Sequence, residues 1–234
     1  MTARSKICSS FDDAVRDIPD GATLGFGGFA VVGMPINLYQ AVANQGATNL
    51  TCVSNSTRGG ATLPADAPDM GQMIKNGQVR KVICAFTAPT RASQRLILSE
   101  YVERGLIEAE LVPQGTLAER IRAGGAGLGG VLTTTGLGTL ASEGQQVIQL
   151  NGQDYLIAPA LRADVALVAA RSADYAGNLV YSLTARNFNP LMTMAADIVI
   201  AETNEIVPLG VLPPDVIHTP GILIDHLIER PLAP

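Results

Sequence analysis

The residues best suited to chemistry in this chain form a glycine-rich run that follows a short apolar segment, residues 22–24. The run reads Gly25-Phe26-Gly27-Gly28-Phe29-Ala30-Val31-Val32-Gly33-Met34, and a helical pattern begins directly after it. Glycine lets a backbone approach a ligand closely, so the N–H groups here could hold a phosphate, an oxyanion or a thioester near a helix N-terminus. We define the candidate binding loop, called the glycine loop below, as Gly27, Gly28, Phe29, Ala30, Val31, Val32 and Gly33.

Two common phosphate-binding motifs fit this run poorly. Residues 25–30 match the dinucleotide pattern G-x-G-x-x-G/A, but that motif needs an acidic residue about 20 positions later, and none occurs between Asp20 and Asp66. A P-loop is excluded because Met34 and Pro35 follow the last glycine, where the motif needs Lys and Ser or Thr. From the motif alone, a turn that merely packs a helix on a sheet stays an open interpretation.

Composition narrows the class of protein. The chain has 234 residues, is 47% hydrophobic and only 16% charged, and carries a net charge of −5. It can bury a large core, and we expect residues 1–234 to form one domain.

The negative charge gives no general attraction to nucleic acid or anionic membranes. No stretch approaches the roughly 18 apolar residues of a membrane span, and no secretory signal is evident. We therefore expect a cytoplasmic location.

Cysteine and histidine residues do not suggest a metal site. The chain has three cysteines without a C-x-x-C pair, and Cys52 and Cys84 lie in apolar runs, which predicts buried free thiols. His218 and His226 are isolated from other ligand types. We therefore predict no bound metal.

Apolar segments alternate with helical patterns along most of the chain. Strands are predicted at residues 22–26, 49–54, 79–86, 108–112, 165–170 and 197–201. Helices are predicted at residues 11–17, 35–44, 90–104, 117–123 and 190–196. This alternation indicates an α/β fold with a mostly parallel sheet and helices on both faces. Ligands in such folds bind beyond the carboxyl ends of the strands, so residues 27–33, 55–60 and 114–116 are expected to line one cleft.

Three local patterns add detail. Residues 116–119 form a capping-box candidate that predicts a helix start, and Asn151-Gly152 between apolar segments predicts a hairpin with a type I′ turn. Residues 124–138, rich in Gly and Thr, have the composition of a linker. Residues 221–228 predict a short C-terminal helix.

Several blocks, in order along the chain, resemble the alpha subunits of family I coenzyme A transferases of the 3-oxoacid and acetate/acetoacetate type. The first is the glycine-rich run, from which Gly25 departs because the family usually has an apolar residue there. The other blocks, which extend the resemblance over nearly the whole chain, are residues 112–117, 122–127, 135–139, 161–164, 176–179, 185–190 and 218–221.

The resemblance implies a fold of the CoA-transferase and NagB/RpiA-like type and an ordered segment at residues 124–138. It also implies a beta-subunit partner, in an assembly of two alpha and two beta chains, and coenzyme A or acyl-CoA as a substrate rather than a permanent cofactor. In the family, CoA moves between carboxylic acids through a glutamyl-CoA thioester on the beta subunit. Glu143, followed by glycine, is therefore not expected to be the nucleophile, and no catalytic residue is assigned to this chain.

Two other functions stay open. One is an oxidoreductase that binds NADP, with Arg58 on the 2′-phosphate in place of the missing acidic residue. The other is a ligand-binding regulatory domain of the same architecture without catalytic activity.

Overall fold

The computed structural model describes residues 5–57, 68–87 and 96–231. The strands of its main sheet are β1 (Thr23–Phe26), β2 (Leu50–Ser56), β3 (Val79–Phe86), β4 (Glu108–Leu111), β8 (Ala163–Asp174), β9 (Leu179–Val180), β10 (Ala196–Val207) and β11 (His226–Glu229). A second, antiparallel sheet contains β5 (Gly130–Thr133), β6 (Val147–Leu150) and β7 (Gln153–Pro159) in the order β5-β7-β6.

The main sheet is parallel apart from one short strand. Its order is β11-β10-β8-β1-β2-β3-β4, and within the described part of the chain only β9 pairs antiparallel in this sheet, with β8. β1 therefore lies where the strand order changes direction, with β2 on one side and β8 on the other. Such a switch point is where open α/β sheets bind ligands, and the glycine loop leaves the sheet there.

Helices cover both faces of the sheet. They are α1 (Phe11–Val15), α2 (Ile36–Gln45), α3 (Met70–Lys75), α4 (Ile97–Glu103), α5 (Gln114–Gly125) and α6 (Asn189–Met194). Side chains alternate between the two faces of a strand: in β8, Val165 and Leu167 join the hydrophobic cluster under α1–α4, whereas Ala166 and Val168 join the cluster under α5 and α6. The predicted α/β fold is thus confirmed. None of the helices among the described residues is long and apolar enough to cross a bilayer.

Most predicted elements are present. All six predicted strands occur, and the hairpin forms between β6 and β7 with positive φ angles of 52° at Asn151 and 78° at Gly152, as a type I′ turn requires. Pro35 directly precedes α2 rather than occupying its first turn. The first part of the helix predicted at 90–104 lies outside the described residues, and its second part is α4.

Three predictions are wrong. α5 begins at Gln114, so Thr116 lies inside its first turn and caps nothing. The linker suggested by the composition of residues 124–138 is wrong, whereas the ordered segment implied by the resemblance is confirmed, since these residues contain the end of α5 and strand β5. The C-terminal segment makes one 3₁₀ turn at Gly221–Leu223 and then β11, not a helix, because it pairs with β10 and buries Leu227 and Ile228.

Candidate functional site

The glycine loop begins as a continuation of the sheet and then turns back sharply. The Gly27 N–H donates to the Leu167 carbonyl at 2.9 Å. Phe29 and Val32 exchange two backbone hydrogen bonds of 3.0 Å, which close a two-residue turn at Ala30 and Val31. Three loop N–H groups are thus occupied within the protein. Those of Gly28, Ala30, Val31 and Gly33 donate to no atom of the described residues. Ala30, Val31 and Gly33 are partly exposed, whereas Gly28 is buried.

Gly28 needs to be glycine because of its backbone conformation. Its φ of +100° lies in the region that L side chains rarely adopt. A Cβ atom there would also lie 3.0 Å from the Met34 Cα and 3.1 Å from the Gly33 carbonyl oxygen. A side chain at this position would therefore change the path of the loop.

Gly27 needs to be glycine for a different reason, a buried side chain from a distant segment. A Cβ atom on Gly27 would lie 1.9 Å from the Asn189 Oδ1. Asn189 is fully buried, and its Oδ1 accepts a 3.0 Å bond from the Ala169 N–H in β8. Gly27 therefore serves packing, and its engaged N–H is not available to a ligand.

Two asparagine side chains hold the returning arm of the glycine loop. The Asn189 Nδ2 donates to the Gly33 carbonyl at 3.0 Å and to the Ala185 carbonyl at 2.9 Å. The Asn187 Nδ2 donates to the Val32 carbonyl at 2.9 Å. The sequence motifs predict no role for either residue, because the contacts join residues more than 150 positions apart. The only sequence signal was the family block at residues 185–190.

The N-terminus of α2 is already occupied by a carboxylate from β10. Glu202 is fully buried and accepts a 2.9 Å bond from the Leu38 N–H in the first turn of α2. Its other oxygen accepts a 2.9 Å bond from the Arg230 Nε. Burial raises the pKa of Glu202, whereas Arg230 and the helix N–H groups act to lower it. The expectation of a ligand at this helix N-terminus is therefore not supported, because Glu202 uses the positive end of the helix.

The carboxyl ends of neighbouring strands supply amide groups. Asn55, at the end of β2, is 4% exposed and accepts a 2.7 Å bond from the Nε2 of Gln114, which follows β4. Gln114 itself is exposed. Because the carboxyl ends of parallel strands lie on the same side of the sheet, these amides and the glycine loop lie on that side together. Arg58, with the rest of the segment 58–60, lies outside the described residues.

Other candidate residues have ordinary surroundings. Glu143 is exposed at the end of a 3₁₀ turn. Cys52 and Cys84 are buried free thiols, as predicted, and burial raises their pKa to about 12 and about 11. His226 lies in β11 with its Nδ1 3.6 Å from the Cys8 Sγ. The described residues contain no group of three metal-ligating side chains arranged around a common point.

Comparisons with known proteins agree on one family. The coenzyme A transferase family model matches residues 8–230. The chain is 44% identical to the A subunit of the probable succinyl-CoA:3-ketoacid coenzyme A transferase of Bacillus subtilis, over 95% of this chain and 89% of that protein. It is 45% identical to the alpha subunit of the acetate CoA-transferase of Escherichia coli, over 94% of each chain.

The fold agrees as well. An acyl-CoA transferase from Escherichia coli O157:H7, solved as a thioester complex with CoA, superposes with a TM-score of 0.84 at 22% identity, over 99% of this chain and 48% of that chain. These relatives do not support the oxidoreductase or the regulatory-domain alternative. The chain belongs to the coenzyme A transferase family.

Proposed function

We propose that this chain is the alpha subunit of a heteromeric CoA transferase, with residues 1–234 acting as one unit beside a beta subunit, in an assembly of two alpha and two beta chains. The observation that carries the proposal is the match over residues 8–230 and at 44–45% identity to proteins named as A or alpha subunits. The substrates are short carboxylic acids, such as 3-oxo acids, acetate or succinate, and their CoA thioesters.

The reaction proposed for the assembled enzyme proceeds by covalent catalysis on the beta chain. A glutamate carboxylate attacks the acyl-CoA carbonyl and displaces the CoA thiolate, which forms an acyl-glutamyl anhydride. The thiolate then attacks the glutamyl carbonyl, which releases the carboxylic acid and leaves a glutamyl-CoA thioester. A second acid reverses these steps, so the kinetics are ping-pong. Each attack creates an oxyanion that needs positioned hydrogen-bond donors.

The proposed contribution of this chain is a set of uncharged hydrogen-bond donors at the carboxyl ends of the strands. The free N–H groups of Gly28, Ala30, Val31 and Gly33 bind CoA. Between residues 21 and 65 the only charged side chain is Arg58. The glycine loop therefore contacts the pantetheine or pyrophosphate part of CoA rather than its terminal phosphate, which needs cationic partners.

The proposal predicts that the chain alone does not transfer CoA and that adding the beta subunit restores transfer. Purified chain, co-expressed pair and a pair carrying Glu143→Gln are assayed with an acyl-CoA and a panel of short acids. We expect no activity in the first and activity in both pairs, because the nucleophile lies on the partner. Borohydride or hydroxylamine, applied after acyl-CoA, is expected to modify only the partner chain. Transfer by the single chain, or its loss in the Glu143→Gln pair, contradicts this assignment.

Gln114 is expected to face the substrate, since it is exposed at a strand end and Asn55 fixes its amide. In the assembled enzyme, Gln114→Ala should lower kcat about 100-fold if this amide donates to the developing oxyanion. Gln72→Ala is the matched control, because Gln72 also donates a 2.8 Å side-chain bond, to Asn76, but lies on α3. Equal kinetics for the two variants would remove Gln114 from the site.

A further inference from the structure

A cavity of about 240 Å³ lies beside the edge strand β4, where α5 faces the small antiparallel sheet. We call it the edge cavity. Its apolar walls come from both sides of this gap, with Leu111 and Pro113 on one side and Ala141 and Leu156 on the other. Six polar side chains also line it: Glu110, Thr116, Arg120, Thr133, Thr135 and Gln145. The mixture of apolar wall and a few convergent polar groups is typical of a small-molecule site.

The unpaired hydroxyl of Thr116 is the first observation that favours a ligand in the edge cavity. Its Oγ1 is buried and is the only such side-chain nitrogen or oxygen among the described residues that has no hydrogen-bond partner. The whole residue is 9% exposed. Buried polar atoms are nearly always paired, and leaving one unpaired costs about 1–3 kcal/mol. Thr116 lines the edge cavity, and a ligand that reaches its buried hydroxyl would supply the missing partner.

Arg120 provides further unused donors. Its side chain is 11% exposed and is held by two bonds, from Nε to the Pro159 carbonyl at 2.7 Å and from Nη1 to Glu110 at 2.6 Å. Since a guanidinium carries five N–H groups, three of them are not used by these bonds. The orientation of the guanidinium is therefore fixed before any ligand arrives.

Glu110 also lines the edge cavity, but both of its carboxylate oxygens are already bound to cationic side chains of the protein. One of its oxygens binds Arg120, and the other lies 3.1 Å from the Lys81 Nζ. Burial acts to raise the pKa of Glu110, but its bonds to Arg120 and Lys81 outweigh burial and lower the pKa. With this carboxylate occupied, Arg120 is the charged lining group left for a ligand, and because a guanidinium only donates, a ligand that binds it must present oxygen acceptors.

We propose that the edge cavity binds the tail of a short carboxylic acid that carries a second oxygen function, an oxo group or a second carboxylate, through Thr116 and Arg120. The assignment of this acid as a substrate rests on the proposed transferase function. Thr116 lies two residues after Gln114, in the first turn of α5, which places the cavity next to the proposed reaction site. Acids without the second oxygen leave the Thr116 hydroxyl unpaired and are bound less well.

The test compares two acceptors of four carbons, acetoacetate and butyrate, in the assembled enzyme. Thr116→Val removes the hydroxyl at nearly constant volume, and Thr116→Ser retains it. We expect Thr116→Val to lower kcat/KM for acetoacetate about tenfold, the value of one hydrogen bond, and to change it less than about twofold for butyrate. Thr116→Ser should preserve the preference. Equal effects on both acids, or no effect on either, would overturn the inference.

A binding measurement separates this inference from the transferase assignment. Acetoacetate binding to the purified full chain is followed by ligand-observed NMR, which needs no turnover. Binding should weaken in Thr116→Val and in Ala141→Leu, which fills the cavity from its other wall. An inactive pair with intact, cavity-dependent binding would reject the transferase function alone. Absence of binding to the wild-type chain, or equal binding to all variants, would reject the edge cavity as a site.

Discussion

Gly28→Val is expected to abolish CoA-dependent transfer in the assembled enzyme while the chain still folds. A β-branched residue at a φ of +100° is strongly disfavoured, and its Cβ would press on the Met34 Cα at 3.0 Å. Such strain costs about 1–3 kcal/mol, less than the roughly 5–15 kcal/mol by which domains are usually stable. The loop must then move, and a shift of about 1 Å in a binding group can cost about 100-fold in rate.

Gly105→Val is the control for backbone strain. Gly105 has a φ of +69° and nothing within 4 Å of an added Cβ, and it follows α4, away from the glycine loop. Both variants should lose stability in denaturant unfolding, but only Gly28→Val should fall below about 1% of wild-type transfer. Full activity in folded Gly28→Val would show that the glycine loop does not bind CoA.

The main sheet could be predicted because the residues of each strand indicate a strand without reference to distant parts of the chain. β1, β2 and β8 are buried on both faces over most of their length, and each contains a mostly apolar stretch, at residues 24–26, 50–53 and 165–170. The hairpin at Asn151-Gly152 is encoded locally, since a type I′ turn needs residues that tolerate positive φ. In both cases, the residues that determine the structure are adjacent in the sequence.

The glycine loop could be located from the sequence, but its construction could not. Nothing near Gly27 shows that its missing side chain makes room for Asn189, or that Glu202 occupies the start of α2. These contacts depend on the pairing of β1 with β8 and of β8 with β10. The C-terminal segment could not be predicted for the same reason, because β11 becomes a strand only by pairing with the open edge of β10.

Asn189→Leu is expected to weaken both the fold and the binding of CoA, because one buried amide joins the glycine loop to β8. The substitution removes three hydrogen bonds, to Ala169, Gly33 and Ala185. At about 1 kcal/mol for each bond, the free energy of unfolding should fall by about 3 kcal/mol. The glycine loop then loses its hydrogen bond at the Gly33 carbonyl. Because an unconstrained loop must be ordered on binding, KM for acyl-CoA should rise about tenfold even where the chain remains folded.

Gln78→Met separates the two effects of the Asn189 substitution. Gln78 is also a buried amide with three bonds, donating to the Val42 and Ala47 carbonyls and accepting from Asn76, but it lies beside α2 and α3 at the opposite end of the sheet. Chemical denaturation should show similar losses of stability for the two variants. Steady-state kinetics at a temperature where both are folded should show a raised KM for acyl-CoA only in Asn189→Leu. If KM rises equally in both, Asn189 stabilises the fold in general and does not position the glycine loop.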